Sequence, residues 1–181
     1  MSGLLVLVVG PSGSGKDTLL AGAARSLARD ERFRFARRIV TRPVAQEALE
    51  EAMDVARFTH AREAGRFALH WEAHGLHYGI PIDIAEDIAT GRVVVANVSR
   101  AVLAEAASRY ASAVIEVTAP DAVRADRLRA RGRETAADIA ARLARDVPRP
   151  AGLRTHTILN DRTVAEGIDA FAACLHALAD A

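Results

Sequence analysis

An apolar run joined directly to a glycine-rich loop limits the fold of this chain more than any other feature. The run LLVLVV covers residues 4–9, and the loop that follows reads GPSGSGKDT over residues 10–18. The spacing matches the phosphate-binding pattern G-x-x-x-x-G-K-[ST], except that Asp17 occupies the position of the usual hydroxyl residue. Such a loop binds phosphate when it joins a buried parallel strand to a helix N-terminus. The junction therefore predicts an α/β fold of the P-loop NTPase type.

The rest of the chain continues this alternation of strands and helices. The hydrophobic patterns predict a hairpin over 67–80 and further strands at 35–40, 93–98, 113–117 and 155–159. Helical patterns lie between the strands, at 17–29, 59–65, 82–90, 100–109, 121–130, 135–146 and 163–179. Residues 44–55 lack strand alternation and favour a surface loop or a short helix. We therefore expect one domain over residues 1–181, built on a doubly wound, mostly parallel sheet.

Charge and cysteine content argue against several classes of partner. The formal net charge of +1 gives no electrostatic support for nucleic-acid binding. There is no run of 18 or more apolar residues and no signal-peptide pattern, so we expect no membrane association. The lone Cys174 suits a reducing cytoplasm and core packing. These features predict a cytoplasmic protein that acts on a small molecule, and they leave the oligomeric state open, a homodimer included.

Lysine occurs once in this chain, and it lies in the phosphate-binding loop. The sequence has 24 Lys and Arg residues together, and all of them except Lys16 are arginine. A compact ammonium group fits between phosphate oxygens where a planar guanidinium would not. We therefore expect Lys16 to be catalytic, reaching the outer phosphates of a nucleotide. The loop backbone is expected to bind the phosphates through Gly10, Pro11, Ser12, Gly13, Ser14 and Gly15.

Asp17 has two interpretations that the sequence leaves open. A carboxylate repels a triphosphate unless a cation lies between them, and Mg²⁺ often takes one or two carboxylate ligands. Asp17 would then contact Mg²⁺, directly or through water, with the hydroxyl of Thr18 one position later. Alternatively, Asp17 only stabilises the N-terminus of the helix that follows the loop.

Candidate acceptor-binding residues come from residues 41–80 and from one strand end. Arg42 follows the second predicted strand, and a guanidinium pairs bidentately with phosphate. The polar face of the hairpin is open to three interpretations: a sugar-binding face, a solvated face or a metal site. Its residues are His70, Glu72, His74 and His77. Ligands of open α/β sheets bind at the carboxyl ends of strands. The strand at 93–98 carries no acid at its end but supplies Asn97, Ser99 and Arg100.

An arginine-rich segment follows the fourth predicted parallel strand. The candidate arginines in it are Arg127, Arg131, Arg133, Arg142 and Arg145. Arginines that close over a transferring phosphoryl group neutralise its developing charge. The segment at about 127–146 is therefore expected to be a helical lid. The alternative is an exposed, salt-bridged helix, since Asp138 and Arg142 have i,i+4 spacing.

These motifs together resemble the guanylate kinase-like family, and within it the kinases of ribose 1,5-bisphosphate. The resemblance spans nearly the whole chain through GPSGSGKDT, VTRP, FALHWEAHGLHYGI, NVSR, RARGRETAADIAARLAR and ND at 160–161. It implies that Arg131 and Arg142 act in the lid and that Asn160 lies near the nucleotide base. It also implies substrate contacts by Arg42, Glu72, Tyr78, Asn97, Ser99 and Arg100.

The implied reaction transfers the γ-phosphoryl group of ATP, with Mg²⁺, to the 1-phosphate of ribose 1,5-bisphosphate, giving 5-phosphoribosyl 1-diphosphate. In this family the reaction belongs to phosphonate metabolism. Because the acceptor oxygen is already anionic, the reaction needs no strong general base.

Other functions stay open at the sequence level. A guanylate kinase or another nucleoside monophosphate kinase would carry a guanine-reading aspartate near position 97, where this chain has Asn97. A non-catalytic guanylate kinase-like binding module would need neither Lys16 nor the lid arginines. A GTPase would need an N-K-x-D motif, which a chain with one lysine in its phosphate-binding loop cannot contain.

Overall fold

The strands form two sheets in the computed structural model, which describes residues 3–44, 49–130 and 152–181. The five strands of the main sheet are β1 (Leu4–Val9), β2 (Phe33–Phe35), β7 (Val93–Asn97), β8 (Ser112–Thr118) and β9 (Thr155–Leu159). The four strands of the small sheet are β3 (Arg38–Val40), β4 (Glu50–Ala52), β5 (Phe67–Ala73) and β6 (Leu76–Pro81).

The helices lie between these strands. They are α1 (Lys16–Ser26), α2 (Val55–Glu63), α3 (Ile84–Ala89), α4 (Leu103–Arg109), α5 (Asp121–Ala130) and α6 (Val164–Ala179), with a short 3₁₀ turn at Arg100–Val102. None of the helices in the described ranges is long and apolar enough to cross a membrane.

The main sheet has the order β2-β7-β1-β8-β9, and all its pairings are parallel. Both faces are buried, which explains why β1 is a continuous apolar run. Val6 and Val8 pack with α1 and α6 on one face, while Leu5 and Leu7 pack with α3, α4 and the hairpin on the other. The predicted α/β fold with a mostly parallel sheet is confirmed.

The small sheet has the order β4-β3-β6-β5, with an antiparallel hairpin formed by β5 and β6. The hairpin predicted over 67–80 is confirmed. Its turn consists of His74 and Gly75, which both have positive φ angles of 55° and 71°. Two consecutive residues of positive φ are typical of the turns that join tightly paired strands.

The single strand predicted at 35–40 is wrong, because the chain changes sheet within it. Phe33–Phe35 pairs with β7 of the main sheet, whereas Arg38–Val40 pairs with β4 and β6 of the small sheet. Directly after β2, the Ala36 amide still donates a hydrogen bond to the Val95 carbonyl of β7 (2.9 Å). The loop or helix expected at 44–55 is also corrected, since that segment contains β4.

Candidate active site

The phosphate-binding loop lies between β1 and α1, at the carboxyl edge of the main sheet. Gly15 precedes α1 with φ 83°, a left-handed conformation that favours glycine. A Cβ atom on Gly15 would lie 2.3 Å from Nδ2 of Asn160, so a larger residue would also displace the Asn160 side chain from the loop. The loop therefore has the strand–loop–helix setting that the sequence predicts for the six residues from Gly10 to Gly15.

Side chains from outside the loop hold its carbonyl groups. Nε of Arg124 donates to the carbonyl of Ser12 (3.1 Å), and Arg127 Nη1 donates to the carbonyl of Ser14 (3.2 Å). Nδ2 of the buried Asn160 also donates to the carbonyl of Ser14 (2.7 Å). These three side chains fix the loop backbone at the N-terminus of α1, the position at which loops of this kind bind anions through their amides.

These contacts place three residues against the loop. Arg127 was predicted to belong to the lid, but its guanidinium contacts the phosphate-binding loop from α5. Asn160, predicted near the nucleotide base, lies directly against the loop. The sequence analysis missed Arg124, which is buried and also pairs with Asp121 one helical turn earlier. Its i,i+3 spacing from Asp121 was the available signal. That spacing is equally typical of an exposed ion pair on a helix, so it does not indicate a residue that contacts the loop.

Lys16, Asp17 and Asn97 form a hydrogen-bonded group at the start of α1. Nζ of Lys16 donates to Oδ1 of Asp17 (3.0 Å) and to Oδ1 of Asn97 (2.7 Å). Nδ2 of Asn97 donates to Oδ1 of Asp17 (2.7 Å). The group joins the phosphate-binding loop to the end of β7, as expected for functional residues of parallel strands that end at the same edge.

The electrostatics of this group keep Asp17 ionised. The surrounding protein partly desolvates Asp17 and by itself would raise the pKa of its carboxyl, but the attraction of Lys16 and hydrogen bonds from Lys16 and Asn97 lower it to about 2. Burial lowers the pKa of Lys16 from its usual value, and Asp17 opposes that effect. The side chain of Lys16 is 14% exposed, whereas that of Asp17 is 64% exposed. A carboxylate thus projects into solvent beside the loop with its charge retained.

This arrangement fits a magnesium ion held by few protein ligands. The described ranges contain no group of three or more His, Cys, Asp or Glu residues that could bind a metal. Mg²⁺ is usually bound by one or two carboxylates together with phosphate oxygens and water. Asp17 offers such a carboxylate, and Thr18 is exposed in the same first turn of α1.

A cavity of about 240 Å³ lies between α1 and the small sheet; we call it the β3–α1 cavity. Its polar lining consists of Asp17, Asn97, Arg38, Arg42 and Glu50, and Leu20, Ala21 and Leu49 complete it. Two predicted site residues of the loop and strand end thus share one cavity with the predicted Arg42. The cavity is smaller than the range of about 300–1,000 Å³ that is common for ligand pockets.

Arg38 and Glu50 are functional candidates that the sequence analysis did not identify. Arg38 pairs with Oε1 of Glu50, and Nη2 of Arg42 donates to Oε2 of the same carboxylate (2.7 Å). The available signal was strand periodicity, since Arg38 and Arg42 have even spacing and share a face of an extended chain. The signal was missed because the sequence placed Arg38 inside a predicted strand at 35–40 without indicating which strand pairs with it.

Tyr78 lies on the same face of the small sheet as Arg38. Its ring stacks on Trp71 (centroids 5.5 Å apart, planes at 7°), and the Arg38 guanidinium carbon lies 5.2 Å from the ring centroid. Tyr78 therefore contacts Arg38, which lines the cavity. A direct substrate contact by Tyr78 stays a prediction.

Glu72 and the hairpin histidines are placed differently from Tyr78. Glu72 pairs with His77 in the hairpin register, and the ring of His77 stacks on Phe58 of α2 (centroids 5.5 Å apart). Directly paired residues share a face, so Glu72 belongs to the face that α2 covers, opposite Trp71 and Tyr78. The hairpin geometry therefore gives no support to the predicted substrate contact of Glu72.

Ser99 and Arg100 have structural partners at the end of β7. The hydroxyl of Ser99 accepts a hydrogen bond from the Ala101 amide and caps the 3₁₀ turn. Nη2 of Arg100 donates to Oε1 of the buried Glu116 (2.6 Å). Their substrate roles stay predictions. Arg131, Arg142 and the rest of the predicted lid beyond Ala130 lie outside the described residues.

Comparisons with known proteins give consistent relatives, although no family model matches the chain. The chain is 48% identical over 178 residues to ribose 1,5-bisphosphate phosphokinase PhnN of Methylobacterium radiotolerans, covering 98% of this chain and 99% of that protein. It is 46% identical over 182 residues to the protein of the same name from Brucella melitensis biotype 2, covering 98% and 94%.

A third relative is longer than this chain. The bifunctional ribose 1,5-bisphosphokinase-thymidine phosphorylase of Azorhizobium caulinodans is 49% identical over 177 residues, which cover 96% of this chain and 26% of that protein. Among solved structures, guanylate kinase from Anaplasma phagocytophilum aligns over 96% of this chain and 84% of its own, with a TM-score of 0.66 and 18% identity. At that identity the structural similarity shows the fold alone.

Proposed function

The chain belongs to the ribose 1,5-bisphosphate phosphokinase family, and from this premise we propose that it phosphorylates ribose 1,5-bisphosphate with ATP. The observation that carries the proposal is that the phosphate-binding loop and the arginines that follow β2 meet at one cavity. Asp17 at the start of α1 and the two arginines Arg38 and Arg42 line the same β3–α1 cavity. A nucleotide at the loop and a phosphorylated sugar in the cavity would therefore meet beside Lys16.

The reaction breaks the bond between the γ-phosphorus and the β,γ-bridging oxygen of ATP. An oxygen of the sugar 1-phosphate forms the new bond to the γ-phosphorus, and ADP leaves. The attacking oxygen is already anionic, so no proton has to be removed. The products are ADP and 5-phosphoribosyl 1-diphosphate, and catalysis consists of positioning and charge stabilisation.

Lys16 contributes a positive charge to this reaction. Before a nucleotide binds, its ammonium group donates to Asp17 and Asn97, so two acceptors hold it beside the loop. Phosphate oxygens replace these neutral or singly charged acceptors when the loop is filled. The ammonium then stabilises the charge that builds on the outer phosphates.

Mg²⁺ would neutralise charge on the β- and γ-phosphate oxygens when bound. Asp17 is the residue that would hold it, and Thr18 would offer a further oxygen ligand beside the phosphate oxygens of the nucleotide. Asn97 orients Asp17 for this task through its amide. Arg131 and Arg142 are proposed to neutralise the transferring group from the lid side.

Product identification by phosphorus NMR tests the proposal. The protein is incubated with ATP, Mg²⁺ and either ribose 1,5-bisphosphate or GMP. We expect a diphosphate product from the sugar and little conversion of GMP, and we expect Lys16→Ala to remove the activity while the fold is retained. Conversion of GMP without conversion of the sugar would instead establish a nucleoside monophosphate kinase.

A further inference from the structure

We propose that Arg38 binds the non-reacting phosphate of a doubly phosphorylated sugar and thereby determines acceptor specificity. The inference rests on the proposed function and adds to it a residue that selects a bisphosphate over a monophosphate. It starts from the position of Arg38 on β3, where the side chain is 13% exposed and lines the β3–α1 cavity. A buried guanidinium is costly unless its donors are satisfied.

The first observation is that one N–H donor of the Arg38 guanidinium lacks an acceptor among the described residues. The guanidinium pairs with Oε1 of Glu50, but its Nε is buried and lacks a hydrogen-bond partner among the described residues. Buried donors of this kind cost free energy unless a ligand or water completes them. An anion in the cavity would supply that acceptor.

The second observation is the charge of the cluster formed by Arg38, Glu50 and Arg42. Two guanidinium groups share the single carboxylate of Glu50, since Arg42 donates to Oε2 while Arg38 pairs with Oε1. The cluster therefore carries one net positive charge. A phosphate group matches both that charge and the planar donor pattern of a guanidinium.

The third observation is that the Arg38 guanidinium is held in position before any ligand binds. It contacts the Tyr78 ring, which is itself stacked on Trp71, and it is also paired with Glu50. A group fixed in this way loses little conformational entropy on binding, so it discriminates ligands well.

The division of the two phosphates follows from the reaction. The accepting phosphate must lie beside Lys16 and Asp17, at the α1 side of the cavity, because the γ-phosphoryl group is transferred there. The second phosphate of the sugar is then left for the small-sheet side, where Arg38 projects from β3. A monophosphorylated sugar would leave Arg38 unoccupied.

The test compares ribose 1,5-bisphosphate with ribose 1-phosphate, which lacks only the non-reacting phosphate. Dissociation constants are measured by calorimetry for the wild type, Arg38→Gln and Arg37→Gln. Arg37 is the matched control, because it is the adjacent arginine, 59% exposed, and pairs loosely with Glu51 (3.8 Å). Circular dichroism and ATP affinity verify that each variant is folded.

We expect Arg38→Gln to reduce the preference for the bisphosphate by at least about tenfold, the effect of losing one charge-assisted hydrogen bond. Its affinity for ribose 1-phosphate should change less than threefold, and Arg37→Gln should retain the wild-type preference. In steady-state assays Arg38→Gln should raise KM for the bisphosphate more than it lowers kcat. Should Arg38→Gln not fold, Arg38→Lys takes its place, since it keeps the charge but loses the planar fork.

Equal weakening of both sugars, or an unchanged preference, overturns the inference. That result is separable from a failure of the proposed function. If the wild type does not phosphorylate ribose 1,5-bisphosphate, the proposed function is wrong. If the wild type is active but Arg38→Gln keeps its preference, only the role of Arg38 is wrong.

Discussion

The side-chain amide of Asn97 donates a hydrogen bond to Oδ1 of Asp17 over a distance of 2.7 Å. P-loop enzymes commonly place a magnesium-binding acid at the end of the strand that carries Asn97 here. In this chain an acid at position 97 would bring two carboxylates together beside a triphosphate. The amide instead orients Asp17 and accepts a bond from Lys16. The carboxylate of this site therefore lies in the first turn of α1 and not at the strand end, and the site has one negative charge rather than two.

Asp17→Asn tests whether this carboxylate serves magnesium. The substitution keeps the size of the side chain and removes only its charge. We expect the Mg²⁺ concentration for half-maximal activity to rise by about tenfold or more, while the melting temperature changes little because Asp17 is largely exposed. The measurement is a Mg²⁺ titration of the kinase rate at fixed ATP.

Asp169→Asn, an exposed acid on α6, is the control for that titration. An unchanged Mg²⁺ requirement in Asp17→Asn would assign Asp17 only to the stabilisation of the helix N-terminus. The two interpretations that the sequence leaves open would then be decided in favour of the second.

The pH dependence of Asp17 follows from its lowered pKa. The folded value of about 2 lies below the ordinary value of 3.8, so the interaction stabilises the fold above about pH 4 and is lost as pH falls towards 2. Between pH 5 and 8 the charge of Asp17 is constant, and activity should show no dependence on its titration. Carbon NMR of the Asp17 carboxyl group in the wild type and in Lys16→Met measures the effect directly.

Removal of the Lys16 charge should raise the pKa of Asp17 from about 2, because the attraction and the hydrogen bond of Lys16 that lower it are lost. An Asp17 carboxyl that titrates near 3.8 in the wild type and does not respond to Lys16→Met would contradict the pairing of these two side chains.

The main sheet and the loop could be predicted from the sequence because each depends on local information. LLVLVV must be buried on both faces, and GPSGSGKDT must follow it, so the strand, loop and helix are determined within a few neighbouring residues. The change of sheet between Phe35 and Arg38 could not be predicted, because it depends on which distant strand pairs with each half.

The same distinction applies to the site. Lys16 and Asp17 belong to a motif with fixed spacing, whereas the pairing of Arg38 with Glu50 depends on the contact between β3 and β4. Arg127 shows the opposite error, since an arginine close to a lid pattern in sequence contacts the loop in space. Spacing in the sequence identifies the charged residues, but it does not determine which part of the folded protein each of them contacts.

Gly15→Ala should remove nucleotide binding, because the added Cβ atom meets Asn160 Nδ2 at 2.3 Å and the backbone has a left-handed conformation. Gly75→Ala is a matched control, since Gly75 has a similar φ of 71° but open space around its Cβ position, and it belongs to the hairpin turn rather than to the loop. Both variants should lose about 1–2 kcal/mol of stability from backbone strain. Only Gly15→Ala should lose ATP affinity in calorimetry, and equal ATP affinities in the two variants would refute the role of the Asn160 contact.

Glu50→Gln tests the charge balance of the β3–α1 cavity. Glu50 is the carboxylate that Arg38 and Arg42 share, and its side chain is 13% exposed. Its neutralisation leaves two close cations without an anion, so we expect a loss of about 1–3 kcal/mol in the free energy of unfolding. The measurement is the melting temperature with and without inorganic phosphate, at constant ionic strength.

Phosphate should stabilise Glu50→Gln more than the wild type, because an anion between the two arginines replaces the lost carboxylate. Binding at the phosphate-binding loop is common to both proteins and cancels in this difference. Glu51→Gln is the control: Glu51 is the next residue, 52% exposed, and its register partner Ile39 packs against α2. It should match the wild type in both melting temperature and phosphate response. A Glu50→Gln variant that is destabilised but gains no more from phosphate than the wild type would show that the two arginines do not form an anion site.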